Sequence, residues 1–209
     1  MQRLRGQSAG KAYVVVTTMT NKHEIKDKSF QNAVQFFKNL KGEQKHWFVA
    51  GFVDGEGSFN VSFAHQPARP SGFLINPRFQ VYQHKDHEDV LWMIRDVFGT
   101  GRIDKKWGTD VRVFTIENRR TLTEKVIPFF RRHRLMTKSS ALCLFEEIIK
   151  RMNAGEHLTR EGFIHIVHIA YDMNQHGKAR KIEKSQLIQE VLNNFKKQHK
   201  NPQRPEAEL

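Results

Sequence analysis

Cysteine is almost absent from the 209-residue sequence, which contains only Cys143. A single thiol forms no intrachain disulfide and cannot supply a cysteine-based zinc site. A chain without disulfides fits a reducing compartment, such as an organelle interior or a bacterial cytoplasm, and secretion is not expected. Cys143 lies in the apolar run 141–145, so we expect it in the core.

Long apolar runs are also missing. No run approaches the roughly 20 residues that cross a bilayer, and no basic amphipathic stretch carries an exposed aliphatic face, so a membrane is not an expected partner. Acidic residues are few, with 22 Asp and Glu against 35 Lys and Arg and a formal net charge of +13. This excess indicates an anionic partner, nucleic acid first, although a basic enzyme with solvated charges would also show it.

The sequence has enough apolar residues for a core, at 38% of the chain with 16 phenylalanines. The pattern predicts an N-terminal extension over 1–44, a core over 45–153 and a C-terminal helical extension over 154–209. Arg3, Arg5 and Lys11 precede the first acid, Glu24. We interpret this start as a disordered basic arm; an organellar transit peptide has the same composition.

Two periodicities predict the elements of the core. Strict alternation of polar and apolar residues predicts strands over 58–64 and 76–83, and Gly108 to Asp110 predicts a hairpin joining 102–107 to 111–117. Helical spacing, with Asp86 and a Thr121–Glu124 capping box as starts and Pro128 as a kink, predicts helices over 86–98, from 121, and over 139–152.

With a helix before the first strand, the predicted order is αββαββα. This order predicts an α+β fold in which one four-stranded antiparallel sheet is covered by helices on one face. Further helices are expected over 29–40, 162–174 and 184–195, in the two extensions.

The uncovered face of this sheet is predicted to be polar and basic. Arg and Lys suit guanine edges and Asn and Gln suit adenine, so nucleic acid is the expected partner; simple solvent exposure is the alternative. The candidate DNA-binding residues are Ser58, Asn60, Ser62, Gln66, Arg69, Arg78, Gln80, Tyr82, Lys105, Lys106 and Arg112.

The segment from Val49 to Gly57 is predicted to be a helix that ends in glycines. Gly51 and Gly55 are four residues apart on one face, and small residues at that spacing let two helix backbones approach closely. We therefore expect two copies of the chain to pack through this helix. The predicted interface residues are Trp47, Phe48, Ala50, Gly51, Phe52, Asp54 and Gly55.

Glu56 lies at the carboxyl end of that helix, where unpaired carbonyls and the negative end of the dipole gather. An added carboxylate makes an all-oxygen site suited to Mg²⁺. Two paired copies would bring two such acids beside a basic surface, the arrangement of metal-assisted phosphodiester hydrolysis. The alternative is that Asp54 and Glu56 are solvated loop acids.

The run Val49-Ala50-Gly51-Phe52-Val53-Asp54-Gly55-Glu56-Gly57 resembles the LAGLIDADG motif of homing endonucleases. Segments 98–103 and 118–130 resemble single-motif members encoded by introns in ribosomal RNA genes, and the similarity covers about residues 46–153. The resemblance implies a saddle-shaped sheet and a homodimer. It further implies cleavage of a long, partly palindromic DNA site across the minor groove, leaving 3′ overhangs.

The resemblance also implies roles for individual residues. Glu56 matches the metal-binding acid, often Asp in the family, and Gly55 matches the residue that gives a carbonyl to the metal. Mg²⁺ or Mn²⁺ would support cleavage, and Ca²⁺ would support binding alone. Gln83 matches a water-organising residue and His87 a basic residue near the active site. The active-site lysine falls on Lys138, with Arg134 as the competing alignment.

Two other functions fit the same resemblance. One is an RNA-binding maturase that assists group I intron splicing through its basic surfaces. The other is a DNA-binding protein without nuclease activity. Cleavage requires Glu56 and added metal whereas RNA binding does not, so replacing Glu56 separates these functions.

Overall fold

A computed structural model describes residues 28–173 and 182–200, with side chains described up to residue 197. The proposed basic arm lies outside these residues. The chain divides into two compact units, Met1–Lys45 and His46–Leu209. The described part of the first unit contains helix α1, over residues 28–39. No helix among the described residues has both the length and the apolar character needed to span a bilayer.

The remaining elements follow the predicted alternation of helices and strand pairs. The sheet and the helices around it are α2 (Gly42–Glu56), β1 (Gly57–His65), β2 (Phe73–His84), α3 (Asp89–Phe98), β3 (Arg102–Lys105), β4 (Val111–Ile116), α4 (Arg119–Thr121) and α5 (Ile127–Arg132). The last three helices are α6 (Ser139–Asn153), α7 (Arg160–Met173) and α8 (Lys184–Lys200). Single 3₁₀ turns lie at Lys85–His87 and Glu156–Leu158.

The four strands form one antiparallel sheet in the order β1-β2-β4-β3. Phe59 of β1 lies opposite Phe79 of β2, and their rings stack with centroids 5.3 Å apart. Phe130 and Phe145, from α5 and α6, close over this pair at 5.4–5.6 Å. The order of the elements confirms the predicted αββαββα arrangement and the α+β class. Alternate strand residues are buried under the helices.

Two predicted helix starts are wrong. The Asp86 carboxylate lies 3.3 Å from His84 Nδ1, within a 3₁₀ turn, and α3 starts only at Asp89. Asn118 replaces Thr121 as the cap, because its Oδ1 accepts the Thr121 amide hydrogen at 3.0 Å. Pro128, which has no amide hydrogen, follows a π-helical turn over Leu122–Val126.

Cys143 is exposed and not part of the core. The buried stripe of α6 runs through Leu142, Phe145 and Ile149, and Cys143 is one residue off that stripe. An apolar run therefore misled the prediction, because in a helix the neighbour of a buried residue points elsewhere.

The C-terminal helices share the core of the second unit. Phe163 and Val167 of α7 and Leu187 and Val191 of α8 are each at most 1% exposed. Phe63 of β1 packs against α7, with its ring centroid 6.0 Å from that of Phe163. Helices α7 and α8 thus stabilise the outer part of the first strand pair.

Candidate active site and nucleic-acid interface

Helix α2 has two different faces. Val49, Ala50 and Val53 are at most 2% exposed and lie in the core of their own chain. Gly51 and Gly55 are exposed, and a Cβ added to either would meet no atom within 4 Å. Ala50 is therefore not available to a partner helix, whereas the glycine face is open.

Aromatic residues flank the open glycines. Phe48 and Phe52 are half-buried, with ring centroids 6.3 Å apart, and Trp47 is 52% exposed with its ring 5.1 Å from that of His133. At the end of the helix, a Cβ on Gly57 would lie 2.6 Å from the Val53 carbonyl oxygen. The chain can therefore pass directly from α2 into β1 only with glycine at that position.

The Asp54 carboxylate is engaged within its own chain. It accepts hydrogen bonds from the Thr137 amide at 2.9 and 3.1 Å and from the Lys138 amide at 3.1 Å. Partial burial acts to raise the pKa of Asp54, but these hydrogen bonds outweigh it, so the pKa lies below its usual value. Because α6 has no side-chain cap of its own, Asp54 caps it from α2.

Lys138 lies against the end of the motif helix. Its Nζ donates to the Asp54 carbonyl at 2.6 Å and to the Gly55 carbonyl at 3.0 Å, where the helix dipole is negative. Arg134, the competing candidate, is an exposed residue of the loop before α6. The sequence had placed Lys138 near the active site, and the structure brings it to the residue before Glu56.

Glu56 is exposed and makes no hydrogen bond or ion pair with any residue that the structure describes. Gly57 lies opposite Val81, so Gln83 follows two residues further along β2, at the same end of the sheet. Gln83 is half-buried, and its Oε1 accepts the His84 amide hydrogen at 2.7 Å. His87 ends the exposed 3₁₀ turn after β2.

The open face of the sheet carries a hydrogen-bonded polar network centred on Gln80. Its Oε1 accepts from Asn60 Nδ2 at 2.8 Å and from the Tyr82 hydroxyl at 3.1 Å, and its Nε2 donates to Thr115 Oγ1 at 3.1 Å. Ser58 lies opposite Gln80 in the register, and Ser62 is exposed further along β1. The hydrogen bonds hold the side chains of Asn60, Gln80 and Tyr82 in defined positions before any ligand arrives.

Two arginines lie around one acid on the same face. Arg102 Nη1 donates to Glu117 at 2.5 Å, and Arg78 Nε lies 3.3 Å from Glu117. The hydrogen bond from Arg102 keeps the pKa of Glu117 below its usual value. The sequence reasoning missed Arg102, although its position opposite Thr115 in the hairpin puts it on the polar face.

Lys105 and Arg112 lie on the other face of the sheet, which corrects the prediction. Lys105 and Arg112 lie opposite each other in the register. Arg112 is on the same face of β4 as the core residues Phe114 and Ile116. Its Nε donates to Glu88, just before α3, at 3.0 Å. Because side chains alternate along a strand, a residue two positions from Phe114 shares its face.

The remaining candidates lie in the loops. Gln66 and Arg69 belong to the β1–β2 loop, where Arg69 Nε donates to Gln66 Oε1 at 2.6 Å. Lys106, at the turn after β3, places its Nζ 5.7 Å from the centre of the Tyr82 ring. That distance is within the range of a cation–π contact.

A glycine-faced helix ending in a free acid beside a polar antiparallel sheet is the arrangement of LAGLIDADG proteins. Residues 49–149 match the family model described as LAGLIDADG endonuclease. The chain is 31% identical over 158 residues to the DNA endonuclease I-CeuI of Chlamydomonas moewusii, covering 72% of each protein. The chain belongs to the LAGLIDADG endonuclease family.

Solved structures agree with this assignment. The archaeal intron-encoded homing endonuclease I-Vdi141I complexed with DNA gives a TM-score of 0.69 at 28% identity, over 74% of this chain and 98% of that one. The group I intron-encoded homing endonuclease I-CeuI complexed with DNA gives 0.68 at 25% identity, over 83% and 92%. The predicted resemblance to single-motif, intron-encoded members is confirmed.

Proposed function

We propose that this protein is a site-specific endonuclease that binds double-stranded DNA as a homodimer and hydrolyses one phosphodiester bond in each strand. One observation carries the proposal: Glu56 has no described partner beside Lys138 at the end of a glycine-faced helix. The relatives that are complexed with DNA support the choice of substrate.

The donors at the end of α2 fit a hard divalent cation. The Glu56 carboxylate and the Gly55 carbonyl supply only oxygen, which suits Mg²⁺ or Mn²⁺, and Ca²⁺ would support binding without cleavage. A bound ion would lower the pKa of a water molecule and neutralise charge on the phosphate. The Gly55 carbonyl accepts a hydrogen bond from the Lys138 ammonium, and this contact with a cation supports the assignment.

The protein residues around this position have separate tasks. Lys138 holds a positive charge where the scissile phosphate would develop negative charge. Gln83, at the same end of the sheet, would orient a water molecule through its side-chain amide, and His87 in the adjacent turn would face the same phosphates. Asp54 fixes Lys138 by holding the start of α6.

Dimerisation follows from the open face of α2. Two copies would meet through Gly51 and Gly55, with Trp47, Phe48 and Phe52 packing beside the contact. This two-fold contact brings two Glu56 carboxylates together, one for each DNA strand. Identical halves also require a partly palindromic target.

Recognition is assigned to the polar sheet face. The network of Asn60, Gln80 and Tyr82 would contact base edges in the major groove, while the two acids reach the backbone across the minor groove and leave 3′ overhangs. Arg78 and Arg102 would leave their contacts with Glu117 and bind DNA instead. Lys105 and Arg112 are left out of this set because they lie on the helix-covered face.

Replacing Glu56 tests the proposal. The chain would be incubated with a genomic or randomised DNA library and Mg²⁺, and the cut sites would be recovered and sequenced. Glu56→Gln should bind the selected site with unchanged affinity but fail to cut it. The matched control is Asp96→Asn, which removes an exposed carboxylate on α3.

Three results would contradict the proposal. Cleavage by Glu56→Gln at the wild-type rate would remove the assigned site. Tight binding of intron RNA, with no DNA cut under any divalent ion, would instead favour the maturase function. Binding of one DNA sequence without cleavage would favour a protein that has lost nuclease activity.

A further inference from the structure

We propose that Asn194, on the C-terminal helix α8, is a positioning residue that holds the β1–β2 loop so that Gln66 and Arg69 meet DNA in one fixed arrangement. The inference rests on the proposed function and extends it to a part of the chain that follows the motif by more than 100 residues. It assigns α8 a role in target recognition as well as in packing.

The β1–β2 loop is closed by its own backbone. The Gln66 amide donates to the Gly72 carbonyl at 2.8 Å, the Arg69 amide to the Gln66 carbonyl at 3.0 Å, and the Gly72 amide to the Arg69 carbonyl at 2.9 Å. Because the two proposed DNA-contacting residues share these bonds with Gly72, a movement at Gly72 moves both of their side chains.

Asn194 contacts the loop at this point. Its Nδ2 donates to the Ser71 carbonyl at 3.0 Å. Gly72 has a φ of +77°, and a Cβ added there would lie 2.2 Å from Asn194 Nδ2. The amide of Asn194 therefore packs directly against the loop backbone, with no room for another side chain between them.

Both partners of this contact are held in place. Ser71 is 3% exposed, and its hydroxyl bonds both backbone groups of Phe73, at 2.9 and 3.2 Å. On α8, Leu187 and Val191 are fully buried, and Asn194 follows on the same side of the helix at a spacing of three. The hydrogen bond thus joins a rigid helix to the base of the loop.

The Arg69 guanidinium is hydrogen-bonded to the neutral side chain of Gln66. It forms no ion pair with any carboxylate in the described part of the chain. Burial lowers the pKa of His157, and the positive charges of Arg119 and Arg69 lower it further. A guanidinium without an acidic partner suits a phosphate or a guanine edge as its ligand.

The test uses the full chain and the DNA site recovered by selection. Asn194→Ala and the isosteric Asn194→Asp, which loses the donor to the Ser71 carbonyl, should each weaken binding roughly fivefold, the effect of one hydrogen bond. Discrimination should fall only at the base pairs where Arg69→Ala also reduces it. The matched control Asn193→Ala, an exposed neighbour on the same helix, should bind as the wild type does.

A double variant separates positioning from general stability. If Asn194 acts through the loop, Asn194→Asp should have no further effect on binding in an Arg69→Ala background. Fully additive losses, or a uniform loss at every base pair, would refute the inference. Wild-type DNA binding with an unchanged profile in Asn194→Asp would refute it too and leave the proposed function standing, whereas a wild type that binds no DNA would refute both.

Discussion

Removing the Asp54 carboxylate tests whether α2 and α6 are joined as the structure shows. In Asp54→Ala the amides of Thr137 and Lys138 lose their acceptor at the start of α6. Loss of a capping side chain costs about 0.5–2 kcal/mol. The two amides share one half-buried carboxylate, so we expect a loss of about 1–2 kcal/mol. For a domain of this size that corresponds to a Tm lower by roughly 2–8 °C.

The effect should depend on pH with a definite sign. Because the pKa of Asp54 is lower in the folded chain than in the unfolded one, its stabilisation is complete above the unfolded value of about 3.9. It is lost as the pH falls through the folded value. Urea unfolding of wild type and Asp54→Ala should therefore differ at pH 7 and at pH 5 and converge in stronger acid.

Asp54→Asn provides the control, since its amide oxygen still accepts a hydrogen bond without the charge. Its free energy of unfolding should lie between those of the wild type and Asp54→Ala. Equal unfolding free energies for the wild type and Asp54→Ala at pH 7 would show that the carboxylate does not cap α6. The account of how Lys138 is positioned would then fail with it.

Gly51→Leu in α2 should affect dimerisation, whereas Gly57→Ala after α2 should affect the stability of the chain. A Cβ added at Gly51 meets no atom within 4 Å and the residue is exposed, so Gly51→Leu should change the melting temperature of the isolated chain little. If the wild type forms the proposed dimer in analytical ultracentrifugation, Gly51→Leu should be a monomer, and an unchanged dimer would exclude the glycine face as the contact. Gly57→Ala places a Cβ 2.6 Å from the Val53 carbonyl oxygen and should cost about 1–3 kcal/mol in urea unfolding. A wild-type unfolding curve for Gly57→Ala would contradict the crowding at the start of β1.

Local sequence patterns predicted the fold because each helix and each strand has its own period of buried residues. The alternation of Phe79 and Val81 with Gln80 and Tyr82 assigned both faces of β2 correctly. The same rule applied to β4 would have placed Arg112 with Phe114, but its charge drew it to the polar face in our prediction. The charge of Arg112 thus led to a wrong assignment of its face, which the alternation of side chains along β4 alone would have given correctly.

Other features depend on contacts that no local pattern contains. Lys138 lies more than 80 residues from Asp54, and Asn194 lies 123 residues from Ser71. The family resemblance predicted Lys138, because aligning a chain with a family identifies a position without showing which contacts the residue makes. Helical spacing from Leu187 and Val191 distinguishes Asn194 from Asn193, but only the folded chain shows that this side of α8 meets the β1–β2 loop.

The two acids of the motif, Asp54 and Glu56, are two residues apart and point in different directions. Residues two apart on a helix point in directions roughly 200° apart, so Asp54 and Glu56 cannot serve the same partner. Asp54 turns back to α6 and has its charge satisfied by two amides of its own chain. Glu56 points away from that contact and has no partner among the residues that the structure describes. The same bonds to Asp54 hold Lys138 one residue from Glu56, so one acid of the motif positions a cation beside the other.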